Sequence, residues 1–187
     1  MIAVKNISKS FDGKKVLENI SFTVNEGECV ALTGESGAGK TTLMRIIAGL
    51  EAADSGEVAF SKKVKSTFIF QENRLIEGKS VLENILCVAP DRKRAEYFLE
   101  RCGLSDHKDK KAKNLSGGMK RRLAIARALA YGGDLYFLDE PLRELDEETL
   151  KSVAELIKEE IKGKTAILIT HENTALTLLA DSTVKIN

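Results

Sequence analysis

The chain is short of surplus charge, cysteine, proline and long apolar runs, and each shortage removes a class of function. Lys and Arg number 29 against 28 Asp and Glu, a net charge of +1. No global positive field therefore attracts nucleic acid regardless of sequence, and nucleic acid is not an expected partner. The longest apolar stretches, such as VALTG and ILIT, fall far below the roughly 20 residues needed to span a bilayer, so the chain is not expected to cross a membrane. The opening MIAVKNISKS lacks the order of basic region, apolar core and cleavage site that marks a signal peptide, which makes the cytoplasm the expected location. Cys29, Cys87 and Cys102 are odd in number and show no CxxC or metal-ligand spacing, as expected of reduced thiols acting as small hydrophobes. Only two prolines occur, and no Pro-rich or Gly/Ser-rich linker marks a domain boundary. With 187 residues, 43% of them hydrophobic, the chain can bury one core but not two independent ones. A single domain over 1–187 is expected.

The apolar pattern then sets the organisation. IAVKNIS (2–8), ISFTV (20–24) and CVALTG (29–34) are rich in β-branched and apolar residues and are punctuated by DGKK and NEGE, which is turn chemistry. From Lys40, the segment TTLMRIIAGL places Leu43, Ile46, Ile47 and Leu50 at helical spacing. GEVAF and STFIFQ read as strands. SVLENILCVA and DRKRAEYFLERCG read as helices, with Ser80 and Asp91 as N-caps. A further helix opens within SGGMKRRLAIARALAYGG and leads to the strand LYFLDE (135–140), followed by the helix DEETLKSVAELIKEEIKG, the strand TAILIT, the short helix ENTALTLLAD and the closing strand STVKIN. Strands alternating with helices predict an α/β fold with a mainly parallel sheet. The helical segment at about 78–131 reads as an insert, with the core at about 1–77 and 132–187.

GESGAGKT at 34–41 fits G-x-x-x-x-G-K-[ST] with a strand before it and a helix after it, the context that gives this pattern its physics. Gly34, Gly37 and Gly39, with Glu35, Ser36 and Ala38 between them, let successive N–H groups turn inward around an oxyanion at the positive end of a helix. Lys40 is expected to reach the β- and γ-phosphates. Thr41 is expected to offer its hydroxyl to Mg²⁺, and Thr42 to give a supporting contact. LYFLDE ends an apolar strand in two acids, at the edge of a parallel sheet where ligands bind. Asp139 is assigned to Mg²⁺ through water, and Glu140 to orienting or deprotonating an attacking water. Standing alone, such a pair is more often a solvated strand end or a helix start.

The order GESGAGKT, Gln71 in IFQEN, NLSGGM, LYFLDEP, Asp146 in RELD and His171 in ITHE resembles the ATPase subunits of ATP-binding cassette (ABC) transporters along nearly the whole chain. The resemblance implies the P-loop NTPase fold of ABC ATPases, with an N-terminal antiparallel β subdomain and the helical insert, and ATP and Mg²⁺ as cofactors. It also implies that two cassettes stack head to tail, as homodimer or heterodimer, so that each ATP lies between the phosphate loop of one chain and the LSGG turn of the other. On that reading Ser116, Gly117 and Gly118 open a helix whose N–H groups form a second anion seat, although SGG could serve simply as an N-cap. A two-fold pairing fills both seats twice.

The resemblance carries over residue by residue. Phe11 stands where the family places an aromatic against adenine, and could simply be core. Gln71 matches the glutamine that touches metal and attacking water and links the site to the insert. His171 matches the histidine at the γ-phosphate that helps align the catalytic water. Asp146 matches the acid that passes between cassettes, and could equally cap the helix at DEETL. The expected catalytic set is thus Glu140, His171, Gln71 and Lys40, with Thr41, Gln71 and Asp139 at the metal. Met119 after LSGG, and Leu142, Arg143 and Glu144 before the Leu-Asp pair, depart from the family pattern. The insert is expected to dock a separate transmembrane permease on the cytoplasmic face, giving membrane contact only through that partner. FIFQENRLIEGKSVLEN resembles importers of the nitrate, sulfonate and taurine type. The end at Asn187, soon after His171, leads to the expectation that appended regulatory domains are absent. The alternative is a soluble ABC-type ATPase acting as a mechanical switch in assembly or repair.

Overall fold

The computed structural model describes residues 1–186. Two sheets share the core. Strands β1 (Ile2–Phe11), β2 (Lys14–Val24) and β4 (Ser55–Phe60) form an antiparallel sheet in the order β2-β1-β4. Strands β3 (Cys29–Thr33), β5 (Ser66–Ile69), β6 (Leu135–Asp139), β7 (Thr165–Ile169) and β8 (Ser182–Lys185) form a sheet in the order β5-β6-β7-β3-β8, and all its pairings are parallel. Helices α1 (Lys40–Ile47), α2 (Val81–Leu86), α3 (Arg92–Arg101), α4 (Gly117–Tyr131), α5 (Glu147–Ile161) and α6 (Asn173–Leu179) cover its faces. No helix among the described residues is long and apolar enough to cross a membrane.

Period-two alternation sorts the buried strands between two apolar clusters. In β6, Leu135 and Phe137 face α1 and the antiparallel sheet, joining Leu43, Met44, Ile47, Ile2 and Val4. Tyr136 and Leu138 face the opposite way, with Leu123 and Leu129 of α4 and Val153 and Ile157 of α5. That second cluster also holds Val81, Phe98 and Leu99 from α2 and α3, so the helices of the 78–131 segment share one core with the sheet.

Hydrogen-bonding side chains begin the helices of this segment. Ser80 and Glu83 form a reciprocal capping box at α2, and Asp91 accepts from the backbone N–H of Lys93 and Arg94 at α3. The hairpin is longer than the sequence suggests, because β1 continues to Phe11 and β2 starts at Lys14 rather than Ile20. Asp12 and Gly13 both take positive φ, 49° and 78°, and a two-residue turn of that kind keeps the flanking strands paired. KSF and KKVLEN carry too little apolar alternation to announce this pairing.

Asn84 anchors the chain between β5 and α2. Its side chain is fully buried, accepts from Ile76 N at 2.8 Å, and donates to the carbonyls of Ile76 at 3.1 Å and Ser80 at 2.9 Å. Asn84→Ala is expected to cost about 1–3 kcal/mol for the groups left unpaired, read as a lower urea midpoint at unchanged slope.

Candidate nucleotide site

Because all the strands of the larger sheet run in one direction, the C-terminal ends of β3, β5, β6 and β7 open on the same edge. A cavity of about 260 Å³ lies there, lined by Ser36, Gly37, Gly39, Lys40, Thr41, Thr42, Gln71, Asp139, Glu140, Ile169 and His171. Each strand end delivers a different group: the phosphate loop after β3, Gln71 after β5, Asp139 and Glu140 at the end of β6, and His171 after β7.

The loop is pressed tightly into the fold. A Cβ on Gly34 would lie 2.2 Å from the Ile186 carbonyl oxygen, and one on Gly39 would lie 2.8 Å from Leu17 Cδ2 and 2.9 Å from the Val16 carbonyl. Both glycines have positive φ, 141° and 88°, so neither position suits a side chain. Gly39 begins α1 without any side-chain cap, which leaves the first N–H groups of the helix for an anion. Lys40 is 7% exposed, and its Nζ donates to the Gly34 carbonyl at 2.8 Å and the Glu35 carbonyl at 2.7 Å. Among the described residues no carboxylate forms an ion pair with it. A nearly buried ammonium held only by carbonyl dipoles, beside an uncapped helix start, fits a polyphosphate.

The acids share this cavity with Lys40. Asp139 is 3% exposed and accepts from Thr41 Oγ1 at 3.4 Å. Burial raises its carboxyl above the ordinary value, and the neighbouring Glu140 adds to the effect. A carboxylate and a threonine hydroxyl on adjoining elements form an oxygen donor set that suits Mg²⁺. Glu140 lies just beyond β6 in the left-handed region at φ 50°, with its N–H donating to the Ile169 carbonyl at 2.8 Å. Its carboxylate faces His171, with Oε1 3.5 Å from Nε2 and Oε2 accepting from the His171 N–H at 3.4 Å.

The remaining sequence candidates lie elsewhere. Gly34, Glu35 and Ala38 belong to the same loop but do not line the cavity. Phe11 ends β1 at 43% exposure, with Lys9 Nζ 5.0 Å from its ring. Ser116, Gly117 and Gly118 open α4 outside the cavity, and the Ser116 hydroxyl accepts from Met119 N at 3.4 Å. Glu144 reaches this turn, its Oε2 lying 3.5 Å from where a Gly117 Cβ would be. Asp146 caps α5, accepting from Thr149 N at 3.0 Å, and this bond holds its carboxyl below the ordinary value.

One residue escaped the sequence reading. Arg121 is 1% exposed, and its guanidinium donates to the carbonyls of Phe70, Gln71, Asp139, Glu140 and Pro141 and to Asn73 Oδ1. In sequence it is one basic residue among the three of KRR, and no local signal separates it from its neighbours.

The raised Asp139 pKa has a consequence for stability. The folded chain holds this proton more tightly than the unfolded chain, so stability falls as pH rises from the ordinary value of 3.8 through the folded one. Asp139→Asn is therefore expected to unfold at a higher temperature than the parent at neutral pH. The gain should vanish below the ordinary carboxylate range, as thermal unfolding across pH will show.

The model of the family described as ABC transporter matches residues 17–143. The phosphonates import ATP-binding protein PhnC of Fusobacterium nucleatum is 39% identical over 91% of this chain and 82% of its own length. The aliphatic sulfonates import ATP-binding protein SsuB of Cupriavidus pinatubonensis is also 39% identical, over 98% of this chain, which spans 64% of that relative. In structure, the chain is similar to the ATP-binding cassette MJ0796 in a dimeric post-hydrolysis state bound to ADP and Pi, with a TM-score of 0.90 and 28% identity over 100% of this chain and 94% of the other. Fold, family match and relatives agree, and the chain belongs to the ABC transporter family.

Proposed function

We propose that this chain is the ATP-hydrolysing subunit of a transporter, working as one of a pair of cassettes and driving a separate transmembrane permease. The observation that carries the reading is Lys40, a nearly buried cation with no carboxylate partner among the described residues, in the strand-end cavity. On this reading the loop N–H groups and Lys40 hold the β- and γ-phosphates, and Thr41, Asp139 and Gln71 hold Mg²⁺. The metal, when bound, neutralises charge that develops on the transferring phosphoryl group. Glu140 accepts a proton from the attacking water, and His171 keeps that water aligned beside the carboxylate.

The SGG turn has no place in its own chain's cavity, which supports a role across a two-fold interface with a second cassette. The post-hydrolysis relative is dimeric, which agrees with this arrangement. Phe11 at the open end of β1 is assigned to the adenine, and Asp146 to the contact between cassettes. The relatives named for import favour an importer, positioned at the cytoplasmic face of the membrane through its permease. They do not favour a soluble switch in assembly or repair.

Glu140→Gln is expected to keep ATP binding, lower kcat by about 10²–10⁴-fold and lengthen the life of the paired state. Unchanged steady-state hydrolysis would remove Glu140 as the base. Placing Ser116→Arg in one chain of a mixed pair is expected to silence the site that contains the partner's Lys40. Loss confined to the mutated chain's own Lys40 site, resolved by adding Lys40→Ala to either chain, would sink the shared arrangement.

A further inference from the structure

Arg121 lies in the second turn of α4, the helix opened by the SGG turn, yet its guanidinium ends between two loops that carry site residues. Nη1 donates to the Phe70 carbonyl at 2.7 Å, the Gln71 carbonyl at 3.3 Å and Asn73 Oδ1 at 3.4 Å. Nε donates to the Pro141 carbonyl at 2.8 Å, and Nη2 to the carbonyls of Asp139, at 3.2 Å, and Glu140. A guanidinium has five N–H donors fixed in one plane, and here both edges of that plane are used, each against a different loop. None of these acceptors is a carboxylate, so the contact is directional dipole bonding rather than a simple ion pair.

The grip bears directly on Glu140. At φ 50° a residue with a Cβ is strained and keeps that shape only when its surroundings over-determine it. The Glu140 N–H is fixed by the Ile169 carbonyl and the Glu140 carbonyl by Arg121, so both sides of the turn are held. That turn aims the carboxylate at His171. On the other side, Arg127 adds bonds from the same helix to the carbonyls of Asn73 and Arg74, so the Gln71 loop follows α4.

We propose that Arg121 is a positioning residue for ATP hydrolysis: it ties the Gln71 loop to the Asp139–Glu140 turn, so that movement of α4 and its SGG turn reaches both loops through one side chain. This rests on the hydrolytic reading of the cavity and adds to it the route by which the insert acts on the water-activating groups. Leucine or methionine could fill the volume but could not fix the angle between the loops. Lysine keeps the charge but offers three donors from one atom, too few to span both.

Arg121→Lys and Arg121→Gln in the full chain test this by two independent readouts. Steady-state hydrolysis is expected to show kcat down at least about 10-fold, with the nucleotide dissociation constant changed less than threefold. Amide hydrogen exchange is expected to speed up in segments 70–74 and 139–144 together, with the β3 and β7 strands unchanged. A twofold or smaller change in kcat for both variants overturns the proposal. So does a loss of kcat that comes with equal weakening of nucleotide binding and uniform exchange across the sheet, since that is the pattern of a merely structural residue. The exchange readout does not depend on Glu140 being the base. Coupled loosening of both segments in a chain whose Glu140→Gln form still hydrolyses ATP would therefore fault the mechanism and leave the tie in place.

Discussion

The direction of the larger sheet is the constraint on which the site depends. Parallel pairing of β5, β6, β7, β3 and β8 sends every strand toward the same edge, where turns leave the backbone exposed and chemistry can gather. Residues 40, 71, 139, 140 and 171, far apart in sequence, meet around one cavity because each follows such a strand end. The antiparallel sheet and α1 hold the phosphate loop against this edge from one side. Val16 and Leu17 of β2 crowd Gly39 on that side, and Ile186, just beyond β8, crowds Gly34.

The resulting site is electrostatically divided. Lys40 is held by loop carbonyls, while Asp139 is buried with its ionised form disfavoured. Neither group reaches the other to form a salt bridge, and each is more costly to the folded chain than an apolar residue would be. On the proposed reading, an anion beside Lys40 and a cation beside Asp139 would complete the arrangement. Stability is given up at the place where ligand chemistry needs it, as is common at functional sites.

Much of this was legible in the sequence because the relevant signals are local. The phosphate loop is a contiguous pattern between a strand and a helix, and the caps Ser80, Asp91, Ser116 and Asp146 each act within three residues of their own position. The strand ends at LYFLD and TAILI could be read from uninterrupted apolar runs. What stayed hidden was relational. The extended pairing of β1 with β2 depends on backbone bonds that polar residues make as well as apolar ones. The left-handed turn at Glu140 follows a strand whose sequence would as readily continue. Arg121 could not be distinguished from Lys120 or Arg122 without knowing which carbonyls lie opposite α4.

The tie at Arg121 also explains why polar atoms stand where a core would normally be apolar. Burial pushes the guanidinium down to about 10, against the opposing pull of Glu144, Asp139 and Glu140, so it remains charged at neutral pH and must be satisfied where it lies. Apolar packing between α4 and the sheet is abundant, through Leu123, Leu129 and Tyr136, but such contacts are non-directional and tolerate a helix that slides or turns. A planar group bonded at both edges does not. The same helix uses Arg122 to bind the carbonyls of Cys102 and Gly103, and its own last carbonyls, Leu129 and Ala130, accept from Arg94. From Arg121 to its end, α4 is therefore fixed to its surroundings by hydrogen bonds that specify orientation, over a core that supplies most of the burial. That combination fixes the angle at which the helix lies against the sheet edge where the candidate site gathers.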